Sequence, residues 1–302
     1  MSILVVGSIA LDTIETPTDR REEVLGGSAT YFSLAASQFN PVLLVGVVGT
    51  DFPQEGIKLL KSHDIDLTGL QQVEGKTFRW SGRYHEDVNI RDTLNTQLNV
   101  FESFSPEIPE QYKSASHLFL ANIHPSLQLE VLSQVTSPRV VIADTMNLWI
   151  ESSPDQLREV IARTDIFLLS DSEARQLTEE SNLLLAARRL LAWGPKHIII
   201  KKGEHGAMLV NEDGIFFAPG YPLETVVDPT GAGDVFAGGL TGYLSKAESI
   251  TDHRLRQAII YGSALASYNV EDFGPERLKD LTLTDIKKRV TQFKSLTIFE
   301  AD

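Results

Sequence analysis

The chain contains no cysteine, which removes disulfides, thiolate metal sites and a cysteine nucleophile from consideration in one observation. It also lacks a long apolar run. The opening Met1-Ser2-Ile3-Leu4-Val5-Val6-Gly7 carries no basic residue, and its hydrophobic stretch is far shorter than a signal sequence or membrane span. It therefore reads as a first buried strand in a cytoplasmic protein. Positive charge is scarce: 27 Lys and Arg face 41 Asp and Glu, a net charge of −14. That balance disfavours non-specific binding to nucleic acid or anionic membranes, and any anionic ligand needs a locally positive pocket. No internal repeat, low-complexity tract or like-charge block is present, and Pro and Gly are dispersed among turns. The seven histidines show no H-E-x-x-H spacing. Gly75-Lys76-Thr77 lacks the earlier glycine of a P-loop because that position is Leu70, and Gly231-Ala232-Gly233 meets Phe236 where a dinucleotide fingerprint needs glycine. Zinc hydrolysis, P-loop chemistry and dinucleotide redox chemistry are left without support.

What is present is alternation. Short apolar runs recur at 3–6, 42–48, 117–121, 140–143, 166–169 and 198–200, each the length of a strand buried on both faces. Between them, 27–39, 54–63, 127–135, 155–163 and 183–193 carry helical spacing. This predicts an α/β fold: a doubly wound, mainly parallel sheet with helices on both faces, whose ligands collect beyond the carboxyl ends of the strands. Two stretches, 12–25 and 72–104, are polar and β-forming instead and predict a small second sheet. Within 77–84, Phe78, Trp80 and Tyr84 share one face and Arg79, Ser81 and Arg83 the other, with 95–101 available to pair. The whole reads as one interleaved unit over 1–302 rather than two sequential domains. At the C-terminus, 283–293 reads as a peripheral amphipathic helix with Lys287, Lys288 and Arg289 on a solvated face.

The most informative segment is Asp228-Pro229-Thr230-Gly231-Ala232-Gly233-Asp234-Val235-Phe236-Ala237-Gly238-Gly239. A strand-like run at 224–227 precedes it and the small, apolar residues 235–244 read as a buried helix, so the glycines lie at a loop-to-helix junction. There the unpaired N–H groups of the first turn point outward together, the helix dipole adds about half a positive charge, and glycine lets the backbone approach an anion closely. Asp234 stands at the mouth of this cradle. A carboxylate there can accept a proton from an alcohol while the amides stabilise charge on a transferred phosphoryl group. A first-turn acid favoured by the dipole and a tight turn before a closely packed helix are the structural alternatives. The joint occurrence of Gly231, Gly233, the flanking Thr230 and two acids, Asp228 and Asp234, favours chemistry.

This segment resembles the C-terminal motif of the ribokinase-like carbohydrate kinases, a family of sugar, nucleoside and vitamin kinases. The likeness extends along nearly the whole chain. Gly7-Ser8-Ile9-Ala10-Leu11-Asp12, Gly26-Gly27, Gly46-Val47-Val48-Gly49-Thr50-Asp51, Ser170-Asp171-Ser172-Glu173 and Lys202-Gly203-Glu204-His205-Gly206-Ala207 fall where that family keeps recognisable patches. The resemblance implies ATP-dependent, Mg2+-requiring phosphotransfer, with Asp234 as base and the amides of Gly231, Ala232 and Gly233 cradling the phosphoryl group. It implies that Asp12, Gly26 and Gly27 hold the acceptor, with Asn147 as a further contact in a patch, Asp144-Thr145-Met146-Asn147-Leu148-Trp149, that lacks its usual basic residue. On the donor side it implies Lys201, Gly203, Gly206 and Thr230 near the nucleotide phosphates and Ser263 on a helix, 254–268, that walls the adenine. Glu173 would help organise Mg2+ and Asp228 would lie near a monovalent cation such as K+. The insertions at 12–25 and 72–104 would form a β-sheet lid over the acceptor, a surface such kinases often use for homodimerisation.

Structural readings stand beside these. Asp12 can make a turn, Gly26-Gly27 can open a helix needing unusual dihedrals, Ser170 with Glu173 forms a capping box, and Asp228 can brace its loop. The chain also departs from the pattern: Tyr31 stands where many relatives carry Asn, Ser170 replaces Asn, Lys201 replaces a small hydroxyl residue, and Pro229 replaces Thr. Tyr31 suits an aromatic wall for a ring or base, or the core. The expectation is therefore transfer of a phosphoryl group to a hydroxyl, primary for preference, of a small sugar. The alternatives are a nucleoside acceptor, a phosphosugar held by Arg79, Arg83 or Arg91, or a silent binding protein.

Overall fold

The computed structural model describes residues 1–298. Nine strands form the larger of two sheets: β1 (Ile3–Val6), β4 (Val42–Gly49), β5 (Ile65–Val73), β8 (His117–Leu120), β9 (Val140–Ala143), β10 (Ile166–Ser170), β11 (His197–Lys201), β12 (Ala207–Asn211) and β13 (Gly214–Ala218). Four form the smaller: β2 (Ala10–Glu15), β3 (Arg20–Gly26), β6 (Phe78–Tyr84) and β7 (Arg91–Gln97). The larger sheet runs β13-β12-β11-β10-β9-β8-β1-β4-β5, parallel from β11 to β5 with β12 and β13 as an antiparallel edge.

Every residue of β1, β8 and β9 is buried because successive side chains enter two different cores. Ile3 and Val5 meet the helices Ser28–Ala36, Ala232–Leu244 and Asp252–Asn269, while Leu4 and Val6 meet Pro125–Gln134, Pro154–Ala162 and Leu183–Leu191. Each such aliphatic side chain taken fully from water contributes ~1.5–3 kcal/mol, so the apolar runs fix the sheet. Strand order reverses between β1 and β8, with β4 on one side and β9 on the other, which opens a crevice at the carboxyl ends of these strands. The helix Ala232–Leu244 reaches that crevice by packing tightly on Ser28–Ala36. A Cβ on Gly238 would lie 2.4 Å from the Phe32 carbonyl oxygen, so only glycine permits the approach.

The smaller sheet has the order β3-β2-β6-β7, with β2 and β6 parallel. Its inner face sets Asp12 and Ile14 beside Trp80 and Tyr84, and Ile14, Tyr84 and Phe273 form a small core with Val24, Trp80 and Val227 around it. Arg79 ties the sheet to Asp51 at 2.8 Å, and within the sheet Arg79 pairs with Glu23 and Arg83 with Glu15, each at 2.9 Å. Strand β7 is exposed at every position.

The sequence expectations hold for the six apolar strands, the helices and the small second sheet, and need correction at a few points. β5, β12 and β13 went unforeseen: β5 and β13 are edge strands of mixed pattern, whereas β12 is buried throughout. The run 224–227 is irregular rather than a strand; the Val227 N–H donates to the Val270 carbonyl instead of to a ladder. The partner of β6 begins at Arg91, not 95, and within 72–104 Gln72 and Val73 belong to β5. Arg289 is not solvated: it lies 3.4 Å from the Tyr268 ring, 4.6 Å from that of Tyr221, and pairs with Glu271 at 2.7 Å. Among the described residues no helix is long and apolar enough to cross a membrane.

Candidate active site

The loop Asp228–Gly231 is shaped by its own first residue. The two oxygens of Asp228, a fully buried side chain, accept the N–H groups of Thr230 at 2.8 Å and Gly274 at 2.9 Å. Asn269 donates to the Thr230 carbonyl at 2.8 Å. Gly231 then caps the helix with φ of 75°, and a Cβ there would lie 2.5 Å from the Tyr31 ring. Glycine is needed for both reasons. The amides of Gly231 and Gly233 have no acceptor among the described residues, whereas the Ala232 N–H is turned to the Pro229 carbonyl at 3.2 Å. Of the three amides expected to form the cradle, those of Gly231 and Gly233 are free and that of Ala232 is engaged in the turn, while the Asp234 N–H also has no acceptor among the described residues.

Asp234 sits in the first helical turn, half-buried. Burial and the neighbouring Asp144 push its carboxyl up to about 7, against the pull of Lys201 and Arg91. Lys201, the last residue of β11, reaches Asp144 at 2.5 Å, and a Cβ on Gly233 would lie 3.2 Å from its Nζ. Burial alone would lower the Lys201 ammonium, but Asp144, Glu173 and Asp234 outweigh it and hold it above its ordinary value. Glu173 closes a capping box, its Oε2 accepting the Ser170 N–H at 2.6 Å and its own N–H donating to Ser170 Oγ at 3.2 Å. Burial raises its carboxyl, with Asp144 adding to this against Lys201.

On the acceptor side, Asp12 is buried and its Oδ1 has no hydrogen-bond partner. Burial, Asp228 and Asp234 push it up to about 8. A Cβ on Gly26 would stand 2.0 Å from Asp12 Oδ2, and one on Gly27 2.5 Å from the Ser8 carbonyl. The glycine pair therefore makes the space into which the carboxylate turns. Tyr31 is 1% exposed and lies beneath Gly231, with its hydroxyl unpartnered. Its ring belongs to the core beneath Gly231, the second of the two readings given for it, and is not free as an aromatic wall at the acceptor. Asn147 is exposed at the start of the short helix Asn147–Ser152, and Ser263 is half-buried in Asp252–Asn269.

The smaller sheet touches this floor at two points. Thr230 Oγ1 donates to Tyr84 Oη at 3.1 Å. Asn89, in the β6–β7 turn, donates to Glu204 Oε2 at 2.7 Å, and its Oδ1 would meet a Cβ on Gly203 at 2.3 Å. Gly203 and Gly206 both have positive φ, at 54° and 86°. Arg91 stacks on Trp80 at 5.3 Å. None of these contacts is visible in sequence, since the pairs are 146 and 115 residues apart. Asp144 was likewise missed as a site residue; the cation its patch lacks arrives from Lys201, 57 residues on.

Among the described residues no three His, Asp or Glu side chains converge on a metal-binding point. That fits Mg2+, which commonly takes one or two carboxylates and completes its shell with phosphate oxygens and water. Glu173 fits such a role through the carboxylate oxygen not used in the cap. Asp228 is fully buried and braces its loop, each of its oxygens accepting one backbone N–H.

The pfkB family of carbohydrate kinases matches residues 2–280 of the chain. A cytidine kinase of Thermococcus kodakarensis is 34% identical over 251 residues, covering 80% of this chain and 88% of that protein. Among solved structures, the nucleoside kinase of Methanocaldococcus jannaschii superposes with a TM-score of 0.78 at 22% identity, covering 96% of this chain and 98% of that one. An E. coli protein of ribokinase II type, solved with ATP and Mg2+, gives 0.78 at 21% identity, covering 96% of this chain and 99% of that one. The expected fold is thus the observed one, and the chain belongs to the pfkB family of carbohydrate kinases, as an ATP-dependent kinase that phosphorylates a sugar or nucleoside.

Proposed function

We propose that the acceptor is a nucleoside, cytidine first among those to test, phosphorylated on a primary hydroxyl. The observation that carries this reading is the inner face of the smaller sheet, where Asp12, with one free carboxyl oxygen, lies beside the partly exposed Val24 and Trp80, which pack on the buried Ile14 and Phe273. A sugar needs the carboxyl, and a base needs the apolar surface. The relative named cytidine kinase supports it. A phosphosugar clamp is left with Arg91 alone, because Arg79 and Arg83 are paired with carboxylates while Arg91 lies on the Trp80 ring.

In this reading Asp12, Gly26 and Gly27 hold the ribose and Asp234 takes the hydroxyl proton as the new O–P bond forms at the γ-phosphorus. The bond from that phosphorus to the β–γ bridging oxygen breaks, ADP carries away the electron pair, and Gly231 and Gly233 donate to the transferred group. Lys201, Gly203, Gly206 and Thr230 face the nucleotide phosphates and Ser263 the adenine. Mg2+, when bound, neutralises phosphate charge, with Glu173 on its side of the site. The smaller sheet acts as the lid, the exposed β7 pairs two copies, and ATP consumption suits the cytoplasm.

The test is ADP release with cytidine, uridine, adenosine, inosine, ribose and fructose. We expect the highest kcat/KM with a nucleoside, exceeding ribose by about tenfold or more, as one base-stacking contact of ~1–3 kcal/mol supplies. Ribose or fructose equal to every nucleoside would overturn the nucleoside reading.

A further inference from the structure

The Asp144–Lys201 pair sits between three elements of the site. Lys201 ends β11, Asp144 follows β9, and the ammonium lies against Gly233 at the head of the helix Ala232–Leu244, with a Cβ there only 3.2 Å from Nζ. Both side chains are largely buried, at 19% and 4% exposure, and their separation is 2.5 Å. The other Asp144 oxygen accepts the Thr145 N–H at 2.9 Å, which fixes the carboxylate. Asp144 is the one acceptor recorded for the ammonium among the described residues, and an ammonium has three protons to give.

A buried ion pair of this kind adds little to stability over well-packed apolar residues, because desolvation offsets the attraction. Its position suggests another use. The two free amides of the cradle are neutral donors, whereas charge in phosphoryl transfer spreads over three equatorial oxygens. Gly233 is the one residue that both offers an amide to the cradle and leaves room for Nζ beside it. The geometry points to Lys201 as a catalytic residue that donates directly to the transferring phosphoryl group, and to Asp144 as the positioning residue that holds its ammonium against Gly233. This rests on the reading of Gly231 and Gly233 as the phosphoryl cradle and of Asp234 as base. A proton stays on Lys201 throughout, and no bond to it forms or breaks.

The test is a double-mutant cycle of Lys201→Met and Asp144→Asn, with kcat and the KM values for ATP and for the best acceptor of the nucleoside panel, and ADP affinity by calorimetry. We expect Lys201→Met to lower kcat about 100-fold or more, the usual loss for one anion-hole donor, with acceptor KM within about threefold. Asp144→Asn should lower kcat about tenfold in the wild-type background and not at all once Lys201 is Met, because it acts through the lysine. Should Lys201→Met fail to fold around an unpaired buried carboxylate, the double variant, which removes both charges, carries the same expectation. A double variant within about threefold of wild-type kcat, a loss confined to ATP KM and ADP affinity, or an Asp144→Asn penalty equal in both backgrounds, overturns the inference. Asp234→Asn run alongside separates the two readings: full turnover in that variant sinks the base assignment, while its loss beside a normal Lys201→Met sinks only this one.

Discussion

The two sheets each deliver a carboxylate to the same cleft by opposite means. The larger sheet is held by burial on both faces, and the turn that carries Asp234 is positioned by a helix packed into its core. The smaller sheet is held largely by side-chain pairs at its margins, Arg79 with Asp51 and Glu23, Arg83 with Glu15, Tyr84 with Thr230 and Asn89 with Glu204. Core burial is worth more than such polar ties, most of which net ~0.5–1.5 kcal/mol. In the proposed reading of the small sheet as a lid, the floor is the rigid partner, so floor variants should change the chemical step and small-sheet variants should change binding and closure.

The largest effect tests the floor. Asp234→Asn should lower kcat by about 10²–10⁴-fold, the range of a positioned base, with both KM values changed only a few-fold. Near-normal steady-state turnover would remove Asp234 from the chemistry. Since Asp234 is raised to about 7, it must lose its proton to act, and the rate should fall tenfold per unit below about pH 7 and level off above. A flat profile between pH 5 and 8 in a pH–rate series would contradict this.

The next effect tests the root of the small sheet. A methyl group at Gly26 would meet Asp12 Oδ2 at 2.0 Å and drive the carboxylate from its place. Gly26→Ala should raise acceptor KM by about 10–100-fold, the loss of one or two buried hydrogen bonds, and spare ATP KM. Asp12→Asn should do the same to the acceptor while stabilising the protein. Asp12 is raised to about 8 and Asp234 to about 7, so the folded state holds both protons more tightly than the unfolded chain does. Their contribution to stability is present below about pH 4 and is lost as pH rises toward 8. Removing Asp12 should therefore raise stability by about 1–3 kcal/mol at pH 8 and by little at pH 4. Denaturant melts at the two pH values check the sign.

The same contrast governs what could be read in the sequence. β1, β8 and β9 are legible because both faces are buried and every residue is apolar or nearly so. β5 and β13, half-exposed, are not. Asp234 and its glycines are local in sequence, so the cradle could be found there, though not that the Ala232 amide is used within the turn. The tie of Lys201 to Asp144, of Tyr84 to Thr230 and the burial of Arg289 between two tyrosines depend on residues brought together only by the fold. Gly26 was legible as glycine and illegible in its reason, which is the carboxylate of a residue in the neighbouring strand.

The smallest effects fall on the ties between small sheet and floor, and their ranking follows from exposure. Tyr84 is 7% exposed and its hydroxyl accepts from Thr230 beside the cradle. Tyr84→Phe deletes that acceptor and leaves the Thr230 hydroxyl unpaired, at a cost of ~1–3 kcal/mol in the closed state, so kcat/KM should fall about 5- to 100-fold. Asn89 and Glu204 are exposed and their bond competes with water. Asn89→Ala should change kcat/KM by no more than about threefold, in keeping with the small worth of exposed polar pairs. If Asn89→Ala costs more than Tyr84→Phe in the same steady-state assay, closure is governed at the turn of the small sheet rather than at the cradle, and the assignment of Thr230 as the point where the two sheets communicate fails.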